Sequence, residues 1–133
     1  MHLNSLFRNL AFFATIILIM ACKSTPSVTS VSPEVFRSEL LSLADPQLLD
    51  VRTPEEFAES HIPGAVNIDV QSPEFSELVA QKFSPARPIL VYCRSGKRSM
   101  MAANQLVADG YTVIDLAGGI LAWQSSSLPT SSD

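Results

Sequence analysis

The sequence predicts an α/β fold: a single domain with an open sheet of five parallel strands and helices on both faces. Three observations carry this. Short apolar runs alternate with stretches of helical composition, three helix starts are marked by a hydroxyl residue followed by proline, and no tight hairpin turn joins two of the apolar runs. Strands joined through helices pair in parallel with right-handed crossovers, which lays the helices against both faces.

The first segment in chain order stands outside that domain. Leu10 to Cys22 reads LAFFATIILIMAC without a charge, and Arg8 precedes it. A spanning helix needs ~20 apolar residues, whereas the core of a secretory signal takes ~7–15. The run is therefore read as a signal, and Ile19-Met20-Ala21-Cys22 resembles the lipobox of bacterial lipoproteins. That resemblance implies a lipoprotein-type signal peptide over 1–21, lipid attachment at Cys22 and a lipid-anchored tether over 22–27. The mature protein would then be exported and held at the periplasmic face of a bacterial cell-envelope membrane.

The domain is expected over 28–126, with a polar tail over 127–133. Val28–Val31 is the first strand, and Ser32-Pro33 opens a helix over Pro33–Leu43. Leu48–Val51 is the second strand, and Thr53-Pro54 opens Pro54–Glu59, with Glu56 placed to complete a capping box. Ala65–Ile68 follows, and Ser72-Pro73 opens Pro73–Lys82. In each case the missing N–H of proline costs nothing in the first helical turn. Ile89–Tyr92 has no polar alternation, as expected of a central strand covered on both faces. Met100, Ala103, Leu106 and Val107 mark a helical stripe ending at Gly110, with Met100 and Met101 read as core gap-fillers. Thr112–Leu116 is the last strand, Trp123 anchors the last helix, and Ser125–Asp133 is expected to fray.

A chain of 133 residues with 47% hydrophobic side chains buries one core without staples. The formal charge of -4 comes without the clustered Lys and Arg that nucleic acid demands. With Cys22 acylated, Cys93 is the one thiol left, so neither an internal disulfide nor a paired-cysteine metal site is expected, and His61 adds no ligand set. An unpaired cysteine in an oxidising compartment calls for a use.

Cys93 ends the central strand and opens Cys93-Arg94-Ser95-Gly96-Lys97-Arg98-Ser99, which leads into a helix. Ligand sites in open α/β sheets collect at that edge, where unpaired amides and the helix dipole favour an anion. Lowering a thiol from ~8.5 to ~6.5 takes roughly 2.7 kcal/mol. A helix terminus supplies ~0.3–2 kcal/mol, and Arg94, Lys97 and Arg98 are expected to supply the rest. Cys93 is thus predicted to be largely thiolate at neutral pH.

CRSGKRS after ILVY is similar to the active-site loop of rhodanese-like sulfurtransferases. Leu49-Asp-Val-Arg-Thr-Pro-Glu-Glu-Phe57 with His61-Ile-Pro-Gly-Ala65 resembles the amino-terminal signature of that family, and Gly118-Gly-Ile-Leu-Ala-Trp123 its carboxyl-terminal one. The resemblance implies that Cys93 takes sulfane sulfur from a small anionic donor such as thiosulfate. The resulting persulfide passes that sulfur to cyanide, a thiol or a dithiol. The amides of Arg94, Ser95, Gly96, Lys97, Arg98 and Ser99 would cradle the sulfur, and Arg94, Lys97 or Arg98 would hold the departing oxygens. Neither cofactor nor metal is implied, and the single-domain members of the family make a monomer the expectation.

Asp50 and Arg52 are expected to support the loop as an ion pair that can include Glu56, and His61 belongs to the structural signature. Two other readings stay open. Phosphatases and arsenate reductases of this fold place five residues between cysteine and arginine, against four between Cys93 and Arg98 here. A non-catalytic sulfur-carrier or partner-binding module would share the domain, although many such modules lack the cysteine.

Overall fold

The computed structural model describes residues 24–133. The expected signal peptide over 1–21 and the expected attachment residue Cys22 lie outside those residues. Elements run β1 (Val28–Val31), α1 (Pro33–Ser42), β2 (Gln47–Asp50), α2 (Pro54–Glu59), β3 (Val66–Asn67), α3 (Phe75–Lys82), β4 (Ile89–Tyr92), α4 (Lys97–Ala108), β5 (Val113–Leu116) and α5 (Gly119–Ser125). All strand pairs are parallel, in the order β1-β5-β4-β2-β3. β4 sits at the centre with all four residues buried, as its unbroken apolar run requires.

Side chains alternate along the strands, so the sheet has two cores. Leu49, Val51, Ile89, Val91 and Cys93 pack with Phe75 and Val79 of α3 and Ala102, Ala103 and Leu106 of α4. Leu48, Leu90, Tyr92 and Leu116 pack with Phe36 of α1 and Ile120 and Trp123 of α5. Trp123 meets Phe36 edge to face at 6.2 Å. No helix among the described residues is long and apolar enough to cross a membrane.

Two helix starts form as their sequences dictate. Ser32 accepts the Val35 amide at 3.3 Å, and Thr53 and Glu56 form a complete capping box. The third does not. Ser72 Oγ accepts the Glu74 amide at 3.3 Å in a local turn, so α3 begins at Phe75 and the expected start at Pro73 is corrected. β2 begins at Gln47, whose buried amide donates to the carbonyls of Ser84 and Arg87 at 2.9 and 3.1 Å. It ends at Asp50, which accepts the Arg52 amide at 2.9 Å and turns the chain.

Two further expectations are corrected. Met100 and Met101 are exposed, because Ser99, Ala102, Ala103 and Leu106 form the inner face of α4. These mostly small side chains let the helix approach the sheet closely. The tail does not fray. Trp123 Nε1 donates to Pro129 O at 2.8 Å, and Ser131 exchanges two 2.9 Å backbone bonds with His61. A buried indole N–H requires an acceptor, and the tail provides it.

Candidate active site

Parallel strands bring the starts of α2, α4 and α5 to one edge of the sheet. At that edge Cys93 leaves β4, 1% exposed, in the turn that leads to α4. The Gly96 N–H donates to its Sγ at 3.0 Å. Gly96 achieves this at φ +109°, a conformation that side-chain-bearing residues rarely adopt. Ser99 Oγ lies 3.6 Å from Sγ and donates its own proton to Gly96 O at 3.1 Å. Of the expected cradle, Gly96 is the amide bonded to sulfur, and the first-turn amides of α4 have no intrahelical acceptor.

The loop is held from behind by α5. The amides of Ile120 and Leu121 donate to Cys93 O at 2.9 Å and Arg94 O at 3.2 Å. A Cβ on Gly119 would stand 2.6 Å from Cys93 O and closer still to Arg94 O, so only glycine permits this approach.

The cations divide unequally. Arg94, Ser95 and Lys97 are exposed. Arg98 is bound through both terminal guanidinium nitrogens to Glu56 at 2.7 and 2.8 Å, which engages those two donors within the fold. Glu56 carries three further bonds of the capping box. The Arg98 contact, aided by the Thr53 amide, lowers the Glu56 carboxyl to about 2. Glu56 in turn holds Arg98 above its ordinary value. The sequence did mark Glu56 as the third residue of a capping box, but not its partner 42 positions away.

Asp50 and Arg52 pair behind the loop, with Arg52 Nη2 at 2.6 Å from Asp50 Oδ2 and 2.7 Å from Ser60 O. Glu56 takes no part in that pair. Burial opposes the charge on Arg52, yet its bonds to Asp50 carry the ionisation above the ordinary value. The guanidinium lies 5.6 Å from the Tyr92 ring centre. Burial pushes the Tyr92 phenol up, and its oxygen accepts the Ile62 amide at 3.0 Å. His61 is turned away from the chemistry. Its ring stacks on Phe57 at 3.8 Å, Nδ1 meets Phe57 O at 2.8 Å, and Nε2 meets Ser131 Oγ at 3.3 Å. Among the described residues no group of three or more His, Cys, Asp or Glu side chains is placed to hold a metal ion.

The geometry supplies a sulfur at a helix start, one amide bonded to it, two exposed loop cations, Arg94 and Lys97, in no ion pair among the described residues, and a glycine-tight backing. Residues 33–126 match the model of the Rhodanese-like domain family. Thiosulfate sulfurtransferase 16 of Arabidopsis thaliana is 41% identical over 100 residues, covering 68% of this chain and 83% of the relative. Thiosulfate sulfurtransferase 18 of the same plant is 38% identical over 122 residues, covering 83% and 90%. A crystal structure of a rhodanese-related protein from Thermoplasma volcanium superposes with a TM-score of 0.68 at 25% identity, covering 78% of this chain and 98% of the other.

Proposed function

This chain belongs to the rhodanese-like domain family, and from that membership we propose that it is a sulfurtransferase working through a persulfide on Cys93. Its relatives include proteins named as sulfurtransferases. The observation that carries the reading is the Gly96 amide, which donates to the buried Sγ at 3.0 Å in the turn that opens α4. In the first step the Cys93 thiolate attacks the outer sulfur of a thiosulfate-type donor. The new S–S bond forms as the donor S–S bond breaks, and the electron pair leaves with sulfite. In the second step cyanide or a thiolate takes the outer sulfur and returns the electron pair to Sγ. No general base is needed for a nucleophile that reacts as the thiolate.

Arg94 and Lys97 are the loop cations free to meet the donor's oxygens, since Arg98 is engaged by Glu56. The sulfur-carrier reading is the second one, because it shares every residue of the loop. Mass spectrometry after thiosulfate treatment is the test, with an expected gain of about 32 Da on Cys93 that cyanide discharges and Cys93→Ser abolishes. Repeated turnover supports the enzyme, whereas a persulfide that forms once and is not discharged by small acceptors supports the carrier.

We also propose that the domain acts as a monomer held to a cell-envelope membrane by lipid on Cys22. The apolar run from Leu10 and the lipobox-like ending support the anchor. Cys22→Ala is expected to release the protein from membranes into the soluble fraction, and retention would overturn the anchor.

A further inference from the structure

Ser99 is fully buried on the inner face of α4. Helix energetics do not ask for serine there, since alanine is the better helix former and fills positions 102 and 103 of the same face. Nor does the backbone need the hydroxyl. Gly96 O accepts from Ser99 Oγ at 3.1 Å, yet the Met100 amide already donates to that carbonyl at 3.3 Å. The other polar neighbour of Ser99 Oγ is Cys93 Sγ, 3.6 Å away. A hydroxyl carries one proton that rotates and lone pairs that accept, so Ser99 can accept from a thiol or donate to a thiolate.

Resting on the sulfurtransferase reading above, we propose that the Ser99 hydroxyl is a second donor to Cys93 Sγ, turned toward that atom when it carries the negative charge and away when it does not. While Sγ is a thiol, the hydroxyl accepts its S–H and donates to Gly96 O. An ionised Sγ has no proton to give, and the hydroxyl rotates to donate to it alongside the Gly96 amide. Gly96 O keeps the Met100 amide, so no acceptor is orphaned. In loading, Sγ bonds to the donor's outer sulfur, the donor's S–S bond breaks, and the electron pair leaves with sulfite. The donor arrives from solvent, so the added sulfur and its charge lie on the open side of Sγ, whereas Ser99 fills the buried side. The hydroxyl then returns to Gly96 O. In discharge the acceptor bonds to the outer sulfur, the bond from that sulfur to Sγ breaks, and the pair returns to Sγ, where the hydroxyl meets it. Ser99 keeps its proton throughout. It stabilises Sγ as the leaving group and so biases the cycle toward discharge.

The test sets loading of Cys93 by thiosulfate against its reversal by sulfite, with the persulfide fraction read by mass spectrometry. It is run at a pH where a further rise no longer speeds loading, so that protonation of Cys93 plays no part. Ser99→Ala is expected to raise the sulfite needed for half reversal about tenfold, the weight of one hydrogen bond to a charged group. The shift divides between the two rates, with discharge by cyanide about threefold slower and loading about threefold faster, as a Brønsted slope near 0.5 requires. Alanine suits the helix, and the urea midpoint reports any loss of packing separately. A residue that served packing alone would slow both steps or neither. Either of those results, or a sulfite midpoint that is unchanged or lowered, overturns the assignment of Ser99 while the native persulfide keeps the sulfurtransferase reading intact. Absence of any Cys93 persulfide in the native protein overturns both.

Discussion

At the scale of single residues, two glycines decide whether the sulfur is held. Gly96 places its amide on Sγ from a left-handed backbone, and Gly119 lets α5 reach the carbonyls of Cys93 and Arg94. Gly119→Ala combines a positive φ with a Cβ driven into backbone and is expected to cost about 2–4 kcal/mol. The urea midpoint measures that loss, and sulfur uptake by the fraction still folded should fall with it. Unchanged stability would mean that α5 does not restrain the loop. The sequence showed Gly118-Gly119 as a signature, but not what the glycines approach, because the partner backbone is 25 positions earlier.

At the scale of elements, α2 and α4 are joined through Glu56, which caps one helix and binds the first turn of the other. Its carboxyl lies at about 2, below the ordinary 4.5, because of Arg98. The sign follows directly: the folded state binds the proton more weakly. The stabilisation is complete above about 4.5, and it is lost as pH falls toward about 2. Charge-assisted bonds of this kind contribute about 2 kcal/mol. Glu56→Gln should therefore lower the urea midpoint at pH 7 and bring it close to that of the native protein near pH 2. A constant difference at both pH values would show that the ion pair contributes nothing. The capping box was legible because its residues are three apart. The α3 start was misread because Ser72-Pro73 carries the same local signal as the other two starts, and only the turn built on Ser72 distinguishes it.

At the scale of the whole molecule, the C-terminal tail closes the core around α1 and α5. Leu128 packs against that core, Pro129 O accepts the Trp123 indole, and Ser131 bridges His61. Deleting Leu128–Asp133 leaves a buried indole N–H without its acceptor and should cost about 2 kcal/mol, with a red shift in Trp123 fluorescence. An unchanged urea midpoint and emission would mean that the tail is ornamental. Its polar composition reads as fraying, since Ser and Asp say nothing about a bridge formed 70 positions away.

The alternation of apolar runs and capped helices determined the α/β class by itself, because a chain with that pattern has few ways to bury both faces of its strands. The place of Cys93 between strand and helix was equally local, and so was legible. The tertiary structure alone decided which charges remain available. Arg98 is engaged by Glu56 of another helix while Arg94 and Glu59 line a cleft between α2 and α5, whereas the Asp50–Arg52 pair, two positions apart, was already legible in the sequence. Charge pairing depends on distances in space between elements, and such distances cannot be read along the chain when the partners lie on different helices.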